Sequence, residues 1–405
     1  MSSRISPLKV ALFTGGIDPH YARGLSRSLA ALGIAVDVIC NSDMETPEMD
    51  ESRNLRLFTL YATPQQRQSK VRKLLAILGV YARLINYAVG SSATIFHILW
   101  NYKFTLFDRT LLLFFYKLLG KRLVFTAHNV NAGARDGADT FLNRSSLRVQ
   151  YRVMDQIFVH TQKMKDQLMQ TFGVREERIA VIPFGTYDMV PQTSMTSAEA
   201  KQRLGLGSSD RTILFFGRIT PYKGIDLLVN AFARIAPKDQ RYRLMIAGEA
   251  MKEAGQQWQD VQQAITQSPL REQVIQHVRY IADSEIELYF KGADVLVLPY
   301  TQIFQSGVLF MAYSFGLPVI ATDVGSFWND ITEGKTGFVC RPGDPADLAR
   351  VIEKYFESEL YETIDEQRSR IKDFVQASHS WEIAAEKTGN VYAQLSGCKE
   401  LQYSA

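Results

Sequence analysis

Short apolar runs alternate with longer helical patterns along almost the whole chain. In the first half, KVALFT, AVDVIC, IFHIL, RLVFTAHN, QIFVHT and IAVIPFG predict strands, and in the second half TILFFG, YRLMIAG, QVIQHVRYI, DVLVLP, PVIAT and GFVC do so. Strands that alternate with helical segments are typical of parallel sheets with crossover helices. The pattern therefore predicts an α/β protein with two doubly wound sheets, one in each half.

A polar, turn-rich segment beginning at Pro191 separates the two halves. Within it, Thr196 and Glu199 have the spacing of a capping box, which predicts the start of a new helix. A chain of 405 residues exceeds what one core usually organises, so we expect two domains. We predict a first domain over residues 1–191, a second over 192–375 and a C-terminal helical segment over 376–405.

One helical stretch, Arg67–Gly90, is apolar around most of its circumference. Such a helix is either buried on most sides, as most apolar helices of α/β domains are, or it lies in a lipid interface with its basic residues toward anionic head groups. The surrounding sequence from Ser52 to Phe107 contains eight basic residues and no acidic residue. The second alternative therefore predicts an anionic membrane surface as a partner of the first domain.

Composition narrows the class of protein. A hydrophobic fraction of 46% with 22% charged residues is typical of a soluble globular protein. Cys40, Cys340 and Cys398 lie far apart, which argues against a disulfide framework and a structural zinc site. The N-terminal apolar run is too short for a signal peptide core, no later stretch has the uncharged apolar length of a membrane span, and the basic residues are not interleaved with aromatic residues as in nucleic-acid-binding modules. We expect a cytoplasmic protein without a nucleic-acid partner.

Residues that follow the predicted strands are the candidate site residues, because ligands of doubly wound sheets bind at the carboxyl ends of strands. Gly15 and Gly16 follow the first strand, where glycine lets backbone N–H groups approach a phosphate or a sugar. A strand-to-helix turn can also need glycine for its geometry alone. His128 and Asn129 follow another strand, and a hydrogen-bonded loop histidine is an equally simple interpretation there.

Two loops of the second half predict an anion site. Arg218 and Lys223 flank a proline-containing turn between a strand and a helix, and two cations beside a helix N-terminus suit a diphosphate. A solvated surface pair is the alternative. A second loop leads from DVLVLP into a helix at Gly307, so we expect the first N–H groups, near Ser306, Gly307 and Val308, to point at the ligand.

These loops together resemble the retaining glycosyltransferases of the GT-B architecture, similar to glycosyltransferase family 4, which transfer a sugar from a nucleotide-sugar donor. The shared motifs are GGI, TAHN, GRITPYKG, ADVLVLPY, GLPVIATDVGS, GKTGFV, PGDPADLA and SWEIAAEKTGNVY, in this order over nearly the whole chain. The resemblance implies two Rossmann-like doubly wound domains facing a central cleft. It places the acceptor on the first domain and the nucleotide sugar on the second, and it implies that the last helix crosses back to the first domain.

The resemblance also implies roles for individual residues. Arg218 and Lys223 would bind the donor diphosphate, and His128 would face the transferred sugar, so these three form the implied catalytic set. The implied donor-binding residues are Gly15, Gly16, Gly217, Tyr280, Ile281, Gln305, Ser306, Gly307 and Val308, with Tyr280 and Ile281 against the nucleobase, and the acceptor-side residues are His20, Trp100 and Asn129.

The sequence departs from the family at two positions. The family typically carries two glutamates, one touching the donor sugar and one the ribose, and the matching residues here are Ile303 and Met311. Gln302 and Gln305 can supply a neutral hydrogen bond in place of the first, whereas a methionine sulfur accepts hydrogen bonds only weakly. The QSGVL motif resembles a branch of the family that lacks the pair. A non-catalytic nucleotide-sugar-binding scaffold and a nucleotide-sugar epimerase remain alternatives.

The expected chemistry follows from charge. Breaking the anomeric bond moves negative charge onto the nucleotide diphosphate, and preorganised cations and helix N–H groups stabilise it there. The sequence has no Asp-x-Asp motif and no cluster with metal-ligand spacing, so we expect no metal cofactor. A nicotinamide dehydrogenase is disfavoured because the first loop lacks G-x-G-x-x-G. We expect a metal-independent glycosyltransferase that acts on a glycan or a lipid-linked acceptor in polysaccharide or glycoconjugate synthesis.

Overall fold

The computed structural model of the chain describes residues 8–46, 49, 53–61, 69–187 and 190–397. The chain divides into two compact units, one made of residues 1–185 with 379–405 and the other of residues 186–378. The domain limits predicted from the sequence, 191 and 375, both fall inside the second unit. Arg67, at the start of the predicted apolar helix, and the third cysteine, Cys398, lie outside the described residues.

Unit 1 is built on a seven-stranded parallel sheet with the order β3-β2-β1-β4-β5-β6-β7. In register, Val10 of the central β1 lies beside Val36 of β2 on one side and Ile95 of β4 on the other. Six strands confirm the sequence prediction, but β3 was missed. The strands are β1 Lys9–Phe13, β2 Ala35–Cys40, β3 Leu55–Thr59, β4 Ile95–Ile98, β5 Arg122–Thr126, β6 Gln156–Val159 and β7 Ile179–Val181.

The helices of unit 1 include the last helix of the chain, which packs on α1. A side chain on Gly24 of α1 would collide with the Trp381 ring, so glycine is what lets the two helices approach. The Tyr392 hydroxyl lies 2.5 Å from His97 Nδ1 beneath them. The helices are α1 Pro19–Ala31, α2 Lys70–Gly90, α3 Thr105–Arg109, α4 Leu111–Leu118, α5 Ala132–Arg135, α6 Phe141–Val153, α7 Gln162–Phe172 and α17 Trp381–Leu395.

Helix α2 is mostly exposed, so the alternative in which it is buried on most sides is wrong. Only Val80, Tyr81, Leu84 and Ala88 are buried, all toward its C-terminal half. Among the described residues, it is the one helix long and apolar enough to cross a membrane by length and composition. The apolar residues of its N-terminal half, such as Val71 and Leu75, are exposed.

Unit 2 is built on a six-stranded parallel sheet with the order β10-β9-β8-β11-β12-β13. All six strands confirm the prediction, and β11 is buried at every position, as expected for a parallel strand covered on both faces. The predicted capping box of Thr196 and Glu199 is present at the start of α8. The strands are β8 Arg211–Phe216, β9 Tyr242–Ala247, β10 Val274–His277, β11 Val295–Leu298, β12 Val319–Thr322 and β13 Gly337–Cys340, and the helices are α8 Ser197–Arg203, α9 Ile225–Ile235, α10 Gly255–Thr266, α11 Asp283–Gly292, α12 Gly307–Ser314, α13 Phe327–Asp330, α14 Pro345–Phe356, α15 Glu359–Glu362 and α16 Ile364–His379.

The strand order reverses once in each sheet. In unit 1 the reversal lies between β1 and β4, and in unit 2 it lies between β8 and β11. Ligands of open parallel sheets bind outside the carboxyl ends of the strands at such a switch point. The topology therefore predicts a ligand site at two loop clusters, one in each unit.

Candidate functional site

The switch point of unit 2 is formed by a glycine-bounded loop between β8 and α9. Gly217 and Gly224 hold φ angles of 101° and 64°, which other residues rarely adopt. A Cβ on Gly224 would collide with the Pro299 carbonyl oxygen, and the Thr301 N–H donates to the Tyr222 carbonyl at 2.8 Å. These contacts hold the loop directly against the end of β11.

Lys223 brings a positive charge to this switch point. Its side chain is 7% exposed, and its Nζ lies 5.4 Å from the ring centroid of Tyr300, a favourable cation–π distance. A Cβ on Gly217 would lie 2.8 Å from Lys223 Nζ and 3.6 Å from Val308 Cγ2, so the ammonium and the first turn of α12 both lie beside Gly217. A solvated surface position is wrong for Lys223. The other predicted cation, Arg218, is exposed and forms no hydrogen bond or ion pair with the described residues.

The N-terminus of α12 forms the other side of this cluster. Ser306 is the N-cap residue, is 5% exposed and makes no side-chain cap hydrogen bond. The first N–H groups of a helix have no partner within the helix, so those at Gly307 and Val308 are suited to an anion. A Cβ on Gly307 would collide with the Tyr187 hydroxyl, so this hydroxyl lies against the first turn. Sequence reasoning missed Tyr187 because it lies in an irregular segment.

The residues predicted to contact a nucleobase lie elsewhere on the same edge of the sheet. Tyr280 and Ile281 follow β10, which is the edge strand two positions from β8. Tyr280 is 69% exposed and Ile281 is 7% exposed. At about 4.8 Å between strands, the end of β10 lies about 10 Å from the end of β8. The structure therefore places these two residues near, but not within, the Lys223 cluster.

The switch point of unit 1 contains an aromatic and imidazole cluster. Gly15 has a φ of 59°, and a Cβ there would lie 2.7 Å from the Trp100 carbonyl oxygen. The Trp100 ring stacks on the His128 imidazole with centroids 4.0 Å apart and an interplanar angle of 1°. Tyr21 meets the same imidazole edge-on at 4.6 Å. Three predicted residues, Gly15, Trp100 and His128, thus come together.

The tautomer of His128 is set by a second histidine that sequence reasoning missed. His160 Nδ1 lies 3.3 Å from the Ile182 carbonyl oxygen, which can only accept, so this nitrogen carries the proton. His160 Nε2 then accepts from His128 Nδ1 at 3.2 Å. The His128 Nε2 atom is left as an acceptor, and it has no hydrogen-bond partner among the described residues.

Both imidazoles are neutral at physiological pH. Burial lowers the pKa of His160 to about 4, and the hydrogen bond to the Ile182 carbonyl opposes this shift only in part. Burial, followed by the charge that His160 would carry, lowers the pKa of His128 well below its usual range. Since a neutral imidazole can accept a hydrogen bond, the cluster suits a hydroxyl group better than a phosphate.

The remaining predicted residues of unit 1 follow the same strand ends. Gly16 has a φ of 72°, and a Cβ there would lie 4.0 Å from the Asn41 side chain. His20 is 9% exposed in the first turn of α1, and Asn129 is half-buried next to His128. In the part of the chain that the structure describes, no group of three or more His, Cys, Asp or Glu residues could hold a metal ion.

Comparison with known proteins agrees with this architecture. The family profile "Glycosyltransferase Family 4" matches residues 19–186, and "Glycosyl transferases group 1" matches residues 210–358. The sucrose-phosphate synthase structure from Thermosynechococcus elongatus superposes with a TM-score of 0.74 at 21% identity, covering 96% of this chain and 99% of that one. The chain belongs to the glycosyltransferases of the GT-B fold.

Two further proteins are similar to this glycosyltransferase. HepE of Anabaena, whose structure contains UDP and glucose, superposes with a TM-score of 0.72 at 17% identity over 96% of this chain and 100% of that one. The D-inositol 3-phosphate glycosyltransferase of Corynebacterium aurimucosum is 24% identical over 94% of this chain and 91% of that enzyme. At these identities the similarity to solved structures establishes the fold and leaves the substrates open.

In this GT-B glycosyltransferase, the two positions where the family resemblance expects glutamates carry apolar side chains. Ile303 is half-buried just before α12, and Met311 is 7% exposed within α12. Among the residues near these positions, Asp330 accepts a hydrogen bond from Ser326 Oγ at 2.5 Å. Burial raises the pKa of Asp330 to about 6, against the lowering effect of the Ser326 and Gln305 side chains. Sequence reasoning missed Asp330, a buried carboxyl group that lies near Gln305.

Proposed function

We propose that this enzyme transfers a sugar from a nucleotide-sugar donor and that unit 2 binds the donor. The observation that carries the proposal is the convergence of the buried Lys223 ammonium, the Gly217 backbone and the first turn of α12 at the switch point. A cation beside free helix N–H groups is the arrangement that binds a diphosphate. The exposed Arg218 adjoins this cluster and would provide a second, bidentate contact.

The separation of the strand ends in unit 2 supports a nucleotide as the group that carries the donor sugar. Tyr280 and Ile281 follow β10, whose end lies about 10 Å from the end of β8, a separation that suits the nucleobase of a nucleotide whose diphosphate lies at β8. The exposed ring of Tyr280 offers a stacking surface, and the buried Ile281 offers an apolar floor. HepE of Anabaena, which shares the fold, has been solved with UDP and glucose.

The proposed mechanism relies on electrostatic stabilisation of the leaving group. Cleavage of the anomeric bond places negative charge on the diphosphate, where Arg218, Lys223 and the α12 N–H groups stabilise it. We propose retention of configuration, with an oxygen of the leaving diphosphate taking the proton of the acceptor hydroxyl, so that neither a metal ion nor a protein base is needed. The neutral His128 would accept a hydrogen bond from a sugar hydroxyl through Nε2.

The acceptor in this proposal is a glycan or a lipid-linked sugar that reaches unit 1. The stacked Trp100 and His128 rings offer the flat apolar and hydrogen-bonding surfaces that carbohydrates contact. We place the reaction on the cytoplasmic face of a membrane in polysaccharide or glycoconjugate synthesis. Support for the membrane comes from the exposed face of α2, which is treated in the next subsection.

A thermal-shift screen with UDP, GDP, ADP and dTDP sugars tests the proposed donor. A donor present at 100 times its Kd should stabilise the protein by about 2.7 kcal/mol. The Lys223→Ala variant should lose about half of this shift or more, whereas Arg234→Ala, which removes an exposed arginine of α9, should keep it. If no nucleotide sugar stabilises the wild-type protein, or if Lys223→Ala responds like wild type, the donor site is not where we propose.

A second candidate function is a non-catalytic nucleotide-sugar-binding scaffold. The apolar side chains of Ile303 and Met311 favour it, because two carboxylates that the family uses on the donor are missing. Release of nucleoside diphosphate from a bound donor in the presence of acceptor would exclude this candidate. A nucleotide-sugar epimerase would convert the donor into its epimer with the diphosphate still attached and would release no diphosphate with or without acceptor, so the same assay with and without acceptor separates it from a transferase.

A further inference from the structure

Exposed apolar side chains are concentrated on one part of unit 1. Of the 17 large apolar side chains that are exposed in the described residues, 13 lie between Val71 and Leu142. On α2, Val71 and Leu75 are 67% and 62% exposed, and on α4, Leu118 is 86% exposed. Scattered exposed apolar side chains are normal on a soluble protein, but a concentration of this kind marks an interaction surface.

The elements that carry these side chains contact one another. The Phe104 ring, just before α3, stacks on Tyr81 of α2 at 5.3 Å, and the Phe104 N–H donates to the Tyr81 hydroxyl at 2.8 Å. Arg109 of α3 donates to Asn143 of α6 at 2.9 Å. We call the exposed apolar positions of α2, the 104–106 segment, α4 and the start of α6 the α2–α6 surface.

The α2–α6 surface is bordered by cations on α2. Lys70, Arg72, Lys73 and Arg83 are all exposed, and none of the four forms an ion pair with the residues that the structure describes. The sequence from Ser52 to Phe107 offers no acidic residue to neutralise them. An apolar face bordered by unneutralised basic residues is the composition of helices that lie in the interface of an anionic membrane.

Helix α2 is anchored in the fold of unit 1 through its C-terminal half. Val80 and Leu84 are at most 2% exposed in the core of unit 1. The Tyr87 hydroxyl donates to Asp37 Oδ2 at 2.8 Å, which ties the C-terminal half of α2 to β2. Crossing a bilayer would break these contacts, whereas docking on its surface uses only the side chains that are already exposed.

We infer that the α2–α6 surface docks this enzyme on a membrane rich in anionic lipids. A second copy of the chain is the less favourable occupant, because a symmetric dimer through this surface would bring two sets of unneutralised cations together. The inference goes beyond the proposed donor and acceptor. A membrane-binding experiment can therefore fail while the donor assays succeed, and the reverse.

Co-sedimentation with phospholipid vesicles tests the docking. We expect the full-length protein to bind vesicles that contain phosphatidylglycerol at low salt, to bind pure phosphatidylcholine vesicles far more weakly and to be released as salt is raised. Each cation near an anionic surface contributes about fivefold to partitioning, so Arg72→Glu with Lys73→Glu should weaken binding at least 25-fold. Leu74→Ser with Leu75→Ser should also weaken binding, because these exposed side chains supply the buried apolar area.

Matched variants in unit 2 separate docking from a general effect of charge or apolarity. Arg234→Glu with Lys252→Glu changes the net charge by the same amount as Arg72→Glu with Lys73→Glu, at exposed positions of unit 2. Trp328→Ser removes an exposed apolar side chain of unit 2. The double variant and the Trp328 variant should each bind vesicles like wild type. The inference is wrong if wild type does not bind anionic vesicles at low salt, or if the α2 variants bind as well as wild type. A wild-type dimer that becomes monomeric in Leu74→Ser with Leu75→Ser, without vesicle binding, would overturn it in favour of a subunit interface.

Discussion

The two switch points of this enzyme share one topology and differ in charge. In unit 2, glycines bring a buried lysine and the start of a helix onto the end of β11. In unit 1, a glycine brings Trp100 beside β1, where the Trp100 ring stacks on an imidazole that burial keeps neutral. The first arrangement is suited to an anion and the second to a hydroxyl group, so the loops rather than the fold separate the two roles.

This difference in charge also predicts that substitutions act differently in the two clusters. The unit 2 site uses backbone N–H groups, which no substitution removes directly, and two side chains that carry its charge. The unit 1 site depends on a chain of hydrogen bonds from the Ile182 carbonyl through His160 to His128. Each group in the chain fixes the tautomer and orientation of the next. Substitutions should therefore act through charge in unit 2 and through orientation in unit 1.

The largest expected effect is on turnover when a cation of unit 2 is removed. Arg218→Ala and Lys223→Ala should each lower kcat by about 100-fold to 1000-fold, or about 3 to 4 kcal/mol, because the diphosphate charge is fully developed only in the transition state. Steady-state kinetics with a verified donor measure the change, with Arg234→Ala as the control. A higher KM with kcat intact would indicate a contribution to binding alone. Near-normal kcat in both variants would remove the proposed mechanism.

The second effect is on stability and concerns Met311 of α12, the position where the family resemblance expects a glutamate. Met311 is 7% exposed, so Met311→Glu should lower the free energy of unfolding by about 2 to 4 kcal/mol by burying a carboxylate. Met311→Leu, which keeps the volume and polarity, should cost less than about 1.5 kcal/mol. Denaturant unfolding measures both. A Met311→Glu protein as stable as wild type, with tighter nucleotide binding, would show that this position faces the ribose.

The third effect is an acid-sensitive stability that arises in unit 1. The pKa of His160 is about 4 in the folded protein and about 6.5 in the unfolded chain, so the stabilisation is complete above pH 6.5 and is lost as the pH falls through 4. The free energy of unfolding that this histidine contributes and that is lost at low pH should be about 3 kcal/mol. The free energy of unfolding, measured at several pH values from 7 to 4, should therefore fall more steeply for wild type than for His160→Gln. Equal slopes would mean that His160 is charged or solvated in the folded state.

The smallest effect is on the orientation of His128. His160→Leu removes the acceptor of the His128 Nδ1 proton and should lower kcat up to about tenfold, the value of one hydrogen bond, while the donor KM stays unchanged. His160→Gln places an amide oxygen where Nε2 accepted and should restore most of the rate. If the two variants have the same kcat, His160 does not act through His128.

The strand pattern made most of the fold predictable, and the exceptions have physical causes. β3 was missed because LRLFT lies at the edge of its sheet with half-exposed side chains, and so lacks the continuous apolar run of a central strand. The exposure of α2 was not predictable because apolar periodicity identifies a helix but not whether each face meets protein, water or lipid. Twelve strands with short apolar runs were found because parallel strands are buried on both faces.

The site was predictable where it depends on residues close in sequence. Gly217 and Lys223 belong to one loop, so their proximity could be expected from the turn. His160 acts on His128 from another strand, and Asp330 of α13 lies near Gln305 of the loop before α12, so sequence spacing carried no signal for either pair. The position of His160 just after β6 was the one available indication, because it shares the carboxyl edge of the sheet with His128.

The central claim is that the switch point of unit 2, and not that of unit 1, binds the nucleoside diphosphate. Calorimetric titration with the diphosphate identified in the thermal-shift screen tests it most directly, in wild type, Lys223→Ala and His128→Ala. Loss of a charge-assisted contact worth about 1.5 to 3 kcal/mol should weaken Kd by roughly 10-fold to 150-fold in Lys223→Ala. The Kd of His128→Ala should stay within about twofold of wild type, because no phosphate contact is lost. A Kd that is unchanged in Lys223→Ala but strongly weakened in His128→Ala would contradict the account.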